Sequence, residues 1–473
     1  MQSVTKTMLD KIWETHTVAE LGGNTYLLHV DRHVLHEVSG AISFKGMQAA
    51  GRKVACPKLT FATVDHLLDT FKGRTDNPVI PNAHTFIREL RLGCKENNIP
   101  LFDVGNSRQG IVHVIAPELG IALPGVTLVC GDSHTCTVGG IGTYGLGVGS
   151  TDGETVLASQ AVVQTKPKSM RILCNGLLKP GVTAKDLIMF IIGRISARGG
   201  EDCAIEFTGP AIARMSVAER LTVCNMAVEL SARTGFVPPD DVTYEYLKGL
   251  VYSPKGALWE KAVAHWRTLP SDTGATFDFE HEFDCKEISP QVTWGTSPEQ
   301  VVSIKGAVPD LVDSASPDTI ASLQQAYQYM GLAPGARIEG LAVTGAFIGS
   351  CTNARLSDIE DAARILKGRK VADGVKAICT PGSEAVKREA EAKGLADVFR
   401  DAGFEWREPG CSLCMSGGAG GETFEPFSRI ISSTNRNFEN RQGRGVRSHL
   451  ASPATVACSA VCGRISDVRK FVQ

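Results

Sequence analysis

The sequence predicts an α/β protein with largely parallel sheets. Three observations carry that reading: short apolar runs of strand length recur, amphipathic helical segments alternate with them, and the turns between are rich in glycine, serine, asparagine and aspartate. In order, Met8, Leu9, Ile12 and Trp13 fall on one face of a short helix. Val126-Thr-Leu-Val-Cys130 reads as a buried strand and runs directly into Gly131-Asp132-Ser133-His134-Thr135. Leu341-Ala-Val-Thr-Gly-Ala-Phe-Ile348 reads as another and runs into Gly349-Ser-Cys351-Thr-Asn353. The helix after it carries Ser357 three residues before Glu360, a capping-box spacing, with Ile359, Ala362, Ala363 and Leu366 on one face. Residues 375–379 make a third strand, followed by a charged helix over 384–393, and residues 429–432 a fourth, leading into Asn435-Arg436-Asn437. The polar clusters fall just beyond strand ends, where loops and helix N-termini of open α/β sheets converge on ligands.

A chain of 473 residues is long for one core and suggests about three domain-sized parts. Residues 1–170, 171–300 and 301–473 are expected to form three α/β/α subdomains around a central cleft, with Pro180-Gly181 and residues 289–298 as connectors. No period of 20–50 residues marks a repeat array. Lysine and arginine number 49 against 51 acidic residues, and a formal net charge of -2 argues against a nucleic-acid binder, which needs a basic face. No run of ~18 apolar residues proposes a membrane span, and the charged N-terminus lacks the apolar core of a signal peptide. A cytoplasmic, reducing setting is expected. There, most of the 14 cysteines serve as buried small hydrophobes, and Cys94, Cys174, Cys203 and Cys285 fit that role.

Three clusters could carry chemistry. Cys351 on a strand-end loop and the pair Cys411 and Cys414, spaced C-x-x-C, offer three thiolates. Structural zinc normally takes four protein ligands, and four-cysteine electron carriers also need one more. Three thiolates on an iron–sulfur cubane leave one iron open, as Lewis-acid catalysis requires. From spacing alone a surface turn with Cys351 in the core, or a thiol redox pair, stays open. Asp65-His66 and Asp132-Ser133-His134 offer two carboxylate–imidazole units able to tune a proton donor or hold a water, although such a dipeptide is also common in turns. His113 lies in an apolar run and could equally be a satisfied core histidine. Glu229, in the apolar stretch after Cys224, would need a partner if buried. Arg436, Arg441 and Arg444, interleaved with asparagine and glycine, suit bidentate binding of carboxylates or form a basic surface loop.

Together and in this order, these segments resemble the aconitase superfamily over nearly the whole chain, most closely its isopropylmalate isomerase large subunits. Asp31-Arg-His33-Val-Leu-His36-Glu37, Thr60-Phe-Ala-Thr-Val-Asp65-His66, Gly110-Ile-Val-His113, Asp132-Ser-His134-Thr, Ser289-Pro-Gln-Val-Thr-Trp294-Gly295-Thr, both cysteine loops and Asn435-Arg436-Asn437-Phe438 carry the likeness. The resemblance implies aconitase-like domains 1–3 without the swivel domain. It implies a [4Fe–4S] cluster held by Cys351, Cys411 and Cys414, with one open iron for a substrate hydroxyl and carboxylate. Asp65, His66, His113, Asp132, His134 and Glu229 match positions that handle protons and the hydroxyl or bound water. Asn353, Arg436 and Arg441 match positions that orient the cluster or bind substrate carboxylates. The implied reaction dehydrates a substituted malate, a small dicarboxylic hydroxy acid, to an alkene diacid and rehydrates it on the neighbouring carbon. Single-chain members end in a further domain with a catalytic serine. The resemblance therefore implies a separate small subunit that supplies this swivel domain.

Several positions depart from the isopropylmalate pattern. Val138 and Thr155 stand where histidines are expected, the glycine-rich stretch 415–421 replaces a polar segment, and Ser231 and Gly200-Glu201-Asp202 also differ. Isopropylmalate is the expected substrate, with homocitrate, dimethylmalate or another substituted malate as alternatives. Readings from other classes are a cluster-sensing RNA regulator, which the near-neutral charge disfavours, and a zinc- or thiol-stabilised scaffold without turnover.

Overall fold

A computed structural model describes residues 5–310, 316–414 and 423–471. The chain folds as two compact units, each assembled from separated stretches: Met1–Leu67, Pro81–Leu177 and Arg198–Cys285 in the first, Leu68–Ile80, Leu178–Ala197 and Lys286–Gln473 in the second.

In the first unit a five-stranded sheet has the order Leu101–Phe102, Thr60–Thr63, Arg32–Leu35, Thr127–Cys130, Tyr144–Gly147, and every pairing in it is parallel. Short, fully buried strands of this kind read as apolar runs because both faces are covered, and Thr127–Cys130 and Thr60–Thr63 are buried at every position. Parallel pairing brings the carboxyl ends of the three central strands to one sheet edge. From that edge His36 and Glu37 follow Arg32–Leu35, Asp65 and His66 follow Thr60–Thr63, and Asp132 to His134 follow Thr127–Cys130. A second parallel sheet orders Thr234–Phe236, Cys203–Thr208, Lys168–Asn175 and Phe279–Asp284. A small antiparallel sheet joins Thr17–Gly22, Thr25–His29 and Ala161–Thr165. The N-terminal helix Met8–His16 buries Met8, Leu9, Ile12 and Trp13, the face its spacing predicts, and is closed by a capping box between Thr7 and Asp10.

The second unit is built on a five-stranded parallel sheet of order Phe404–Trp406, Lys376–Cys379, Gly345–Ile348, Arg429–Ser432, Arg447–Leu450. Cys351 follows its central strand, Asn435 the next, and the Cys411 turn leaves the outermost strand Phe404–Trp406. Helices Leu356–Leu366 and Pro453–Cys462 cover the sheet through Ile359, Ala362, Leu366, Val456 and Ala457, all in one core. Each large side chain fully buried this way contributes about 1.5–3 kcal/mol. The helix Leu356–Leu366 starts otherwise than its sequence suggests: Arg355 is the N-cap position and the Asp358 carboxylate accepts from its amide at 3.0 Å, rather than Ser357 pairing with Glu360. Within residues 289–298, the buried strand Gln291–Thr293 pairs antiparallel with the half-buried strand Val301–Ser303. Among the described residues no helix is long and apolar enough to cross a membrane.

Two glycines set how closely the 3-10 segment Ser133–Ile141 can approach its neighbours in the first unit. A Cβ on Gly139 would lie 1.8 Å from the carbonyl oxygen of Gly235, and one on Gly140 would lie 2.5 Å from the amide of Leu221. Both obstacles are backbone, which cannot swing aside. Gly139→Ala is therefore expected to lower unfolding free energy by about 1–3 kcal/mol, the usual cost of overpacking. A urea midpoint equal to wild type would contradict this.

Candidate active site

The first unit gathers an acid–imidazole network at its sheet edge. Asp65 is fully buried, accepts from His66 Nδ1 at 2.7 Å through Oδ1 and from the Val112 amide at 2.8 Å through Oδ2. His66 Nε2 then reaches Asp132 Oδ2 at 3.0 Å. Asp132 Oδ1 accepts from the His134 amide at 2.7 Å and lies 3.1 Å from His113 Nε2. His134 Nε2 pairs with Glu229 Oε1 at 2.8 Å, which supplies the partner a buried glutamate needs. The six proton-handling positions expected from the sequence thus form one connected chain.

Its electrostatics follow from burial and partners. Burial acts to raise the Asp132 pKa, but the charge and hydrogen bonds of His113, His134 and His66 outweigh it and hold the carboxyl well below its usual range. Asp65 is likewise lowered, with burial opposed by His66. Glu37, which follows the strand Arg32–Leu35, shapes the loop: its carboxylate accepts from the amides of Asp65 at 3.1 Å, His66 at 2.7 Å and Leu67. Burial and the nearby Asp65 raise its pKa. The His36 ring stacks on His66 with centroids 4.1 Å apart, and its Nε2 lies 3.1 Å from the Gly131 carbonyl. Burial, then His66, pushes the His36 pKa down to about 4, so this ring is neutral. His36, Glu37, Asp65 and His66 offer ligand atoms all within 4.8 Å of one another. The Glu37 and Asp65 oxygens are already committed to amides and imidazole, so the group is a hydrogen-bonded cage and a poor cation site.

The second unit gathers the three cysteines. Cys351, Cys411 and Cys414 are buried and outside any disulfide. Ser350 Oγ lies 3.1 Å from Cys414 Sγ and 3.9 Å from Cys351 Sγ, so the two sulfurs are no farther apart than those contacts together. Asn435 also touches both, with Nδ2 donating to Cys351 Sγ at 3.5 Å and Oδ1 at 3.9 Å from Cys414 Sγ. Cys411 joins Cys414 in one tight turn, whose amide–carbonyl bond spans 3.0 Å. Arg441 Nη2 approaches Cys414 Sγ at 3.8 Å, and its guanidinium lies over the Phe438 ring at 4.9 Å. Asn353 Nδ2 donates to Asp358 at 2.8 Å. Arg436 follows Asn435 and is half-buried. Ser350 and Ser412 adopt positive φ, +83° and +47°, and each stands beside a cysteine. Such conformations cost about 1–3 kcal/mol and persist where surroundings over-determine them.

Sequence reasoning missed two side chains here. Arg355 donates to the carbonyls of Thr352 at 2.9 Å and Cys351 at 3.0 Å, clamping the Cys351 loop. Lys185 is fully buried and donates to the carbonyls of Ser433 at 2.9 Å and Thr434 at 2.6 Å, just before Asn435. Burial pushes its pKa down to about 7 against the raising pull of Asp358, Cys351 and Cys414. The available signal was a charged Lys185-Asp186 pair heading the apolar run 187–192. Of the departures noted in the sequence, Val138 is buried in the hydrophobic core, and Thr155 is exposed on the helix Ser150–Ser159. Ser231 ends the turn Met226–Leu230 with positive φ, and Gly200 bonds the Leu230 carbonyl. Residues 415–421 lie outside the described residues.

A profile of the aconitase family (aconitate hydratase) matches residues 10–463. The chain is 50% identical over 464 residues to the 3-isopropylmalate dehydratase large subunit 1 of Bradyrhizobium diazoefficiens, covering 98% of this chain and 96% of the relative.

Buried neutral histidines set a pH dependence for the first unit. Burial lowers His33 to about 3 and His36 to about 4, whereas the unfolded chain protonates both near 6.5. Unfolding therefore takes up protons below pH 6.5, and stability falls between pH 6.5 and 4 by roughly 1.4 kcal/mol per pH unit for each group. The Asp132 contribution has the opposite origin, a lowered carboxyl, and is lost only below its unfolded value of 3.8. His33→Gln should flatten the decline in urea midpoint between pH 7 and 5; an unchanged slope would contradict the assignment.

Proposed function

This chain belongs to the aconitase family, and on that premise we propose that it is the large subunit of a cytoplasmic [4Fe–4S] hydro-lyase that interconverts 2- and 3-isopropylmalate through an alkene diacid. The observation that carries the reading is the meeting of two loops at Ser350 and Asn435, which both touch the sulfurs of Cys351 and Cys414, with buried Cys411 in the same tight turn as Cys414. The donor set fits the cluster. Cys351, Cys411 and Cys414 would be its ligands, and the Arg441 guanidinium brings positive charge to Cys414. When bound, the cluster supplies an open Lewis-acidic iron.

The chain's own groups do the rest. Arg436 and Asn353 orient the substrate carboxylates, while Arg441 holds the Cys414 sulfur. Asp132 stays ionised and fixes the directions of His66, His113 and His134, so that each presents a defined nitrogen. His134, backed by Glu229, and His113 pass a proton to the departing hydroxyl and recover it on rehydration. Asp65 keeps His66 in one orientation through Nδ1. The proton on carbon is removed by a base from the separate small subunit, whose swivel domain carries a serine for that role. The relative's designation as a large subunit supports such a partner.

The test is an anaerobic assay with that small subunit, following the ultraviolet absorbance of the alkene diacid. Isopropylmalate should turn over faster than malates with smaller or larger side groups; faster turnover of homocitrate or dimethylmalate would reassign the substrate within the same chemistry. Glu229→Gln and His134→Asn should each lower kcat by about 10²–10⁴, the range for a lost proton-transfer group. Wild-type rates in both variants would sink the proton-relay assignment.

A further inference from the structure

The stretch Leu68–Ile80 begins two residues after His66 yet packs with the second unit. It has no helix or strand of its own and closes on itself, with the Val79 amide 3.2 Å from Asp69 Oδ2 and the Arg74 amide donating to the Phe71 carbonyl at 3.1 Å. Its outward bonds converge on the loop that carries two of the cysteines. The Glu408 amide donates to the Thr70 carbonyl at 2.8 Å. Arg74 Nη1 donates to the Pro409 carbonyl at 2.6 Å, while Nη2 pairs with Glu384 at 3.4 Å. Thr70 Oγ1 donates to Ser412 Oγ at 3.2 Å, and both residues are fully buried. The Arg407 guanidinium covers the Phe71 ring at 4.6 Å. The strap therefore grips residues 407, 408, 409 and 412.

Ser412 is the residue that most needs holding. It stands between Cys411 and Cys414 with φ at +47°, a conformation that a side-chain-bearing residue leaves readily when unrestrained. Leu413 packs against Phe347, Ile378 and Ile430 on one side of the turn. That apolar contact fixes depth without direction, whereas the Thr70 bond to the Ser412 hydroxyl and the Arg74 bond to the Pro409 carbonyl are directional. We propose that Thr70 and Arg74 are positioning residues that lock the Cys411–Cys414 turn in the shape its sulfurs need for ligation. This rests on the reading of those cysteines as cluster ligands.

The test uses the full chain in two states. In the reduced, metal-chelated protein, pulsed alkylation with iodoacetamide is read for each cysteine by mass spectrometry. Thr70→Val, nearly isosteric, and Arg74→Met should speed labelling of Cys411 and Cys414 by about tenfold, the effect of losing one restraint on local opening. Cys130 and Cys224, buried in the first unit, should label at wild-type rates. Arg74→Lys, which retains a donor for the Pro409 carbonyl, should restore most of the protection. In the anaerobic iron-loaded protein, the same variants should lose visible absorbance to a chelator faster in the same order. Unchanged labelling at Cys411 and Cys414, or an equal rise at Cys130 and Cys224, would overturn the proposal. Wild-type protein that takes up no iron would instead reject the ligand reading, and the alkylation arm would still decide whether the strap holds the turn.

Discussion

The Asn435 amide stands between the sulfurs of Cys351 and Cys414, and the thiol set depends on that contact together with the Ser350 hydroxyl. Two cysteines 63 residues apart in sequence can meet only if the loops carrying them leave the same edge of one sheet. Parallel pairing of Gly345–Ile348 with Lys376–Cys379, and of that strand with Phe404–Trp406, supplies that edge; Arg355 fastens the Cys351 loop by its carbonyls, and Lys185 the loop before Asn435. Ser350 and Ser412, each beside a cysteine, hold positive φ, a conformation that persists where the surroundings over-determine it.

The first unit solves a different problem with the same architecture. Its sheet edge must carry several ionisable groups out of water without leaving any uncompensated. It does so by alternating carboxylates with imidazoles, Asp65 to His66 to Asp132 to His134 to Glu229, so each charge faces an opposite or hydrogen-bonding partner. Glu37 adds no link to that chain but ties three successive amides, which is why the Asp65-His66 corner has one shape.

Much of this was legible in the residues. The strands Thr127–Cys130, Lys376–Cys379 and Arg429–Ser432 announce themselves as apolar runs before polar turns, whereas cysteine spacing alone leaves a surface turn or a redox pair open and only the family resemblance groups the three thiols. Arg32–Leu35 and Thr60–Thr63 gave no periodic signal, since four residues mixing His33, Arg32 and threonine carry too little pattern. The Arg355 clamp was hidden because a guanidinium grips carbonyls only once the folded loop brings them within reach. Lys185 escaped for a related reason: a lysine heading a helix looks solvated until the Ser433 and Thr434 carbonyls come from 248 and 249 residues away. Nor does local pattern reveal that Leu68–Ile80 packs apart from the residues that flank it.

The most direct measurement is metal and sulfide content of anaerobically purified protein, for wild type and for Cys351→Ala. The account predicts about four irons and four acid-labile sulfides per chain, the composition of a cubane, with brown colour that bleaches in air and is lost in the variant. Stoichiometric zinc without iron, or an undiminished cluster in Cys351→Ala, would contradict it.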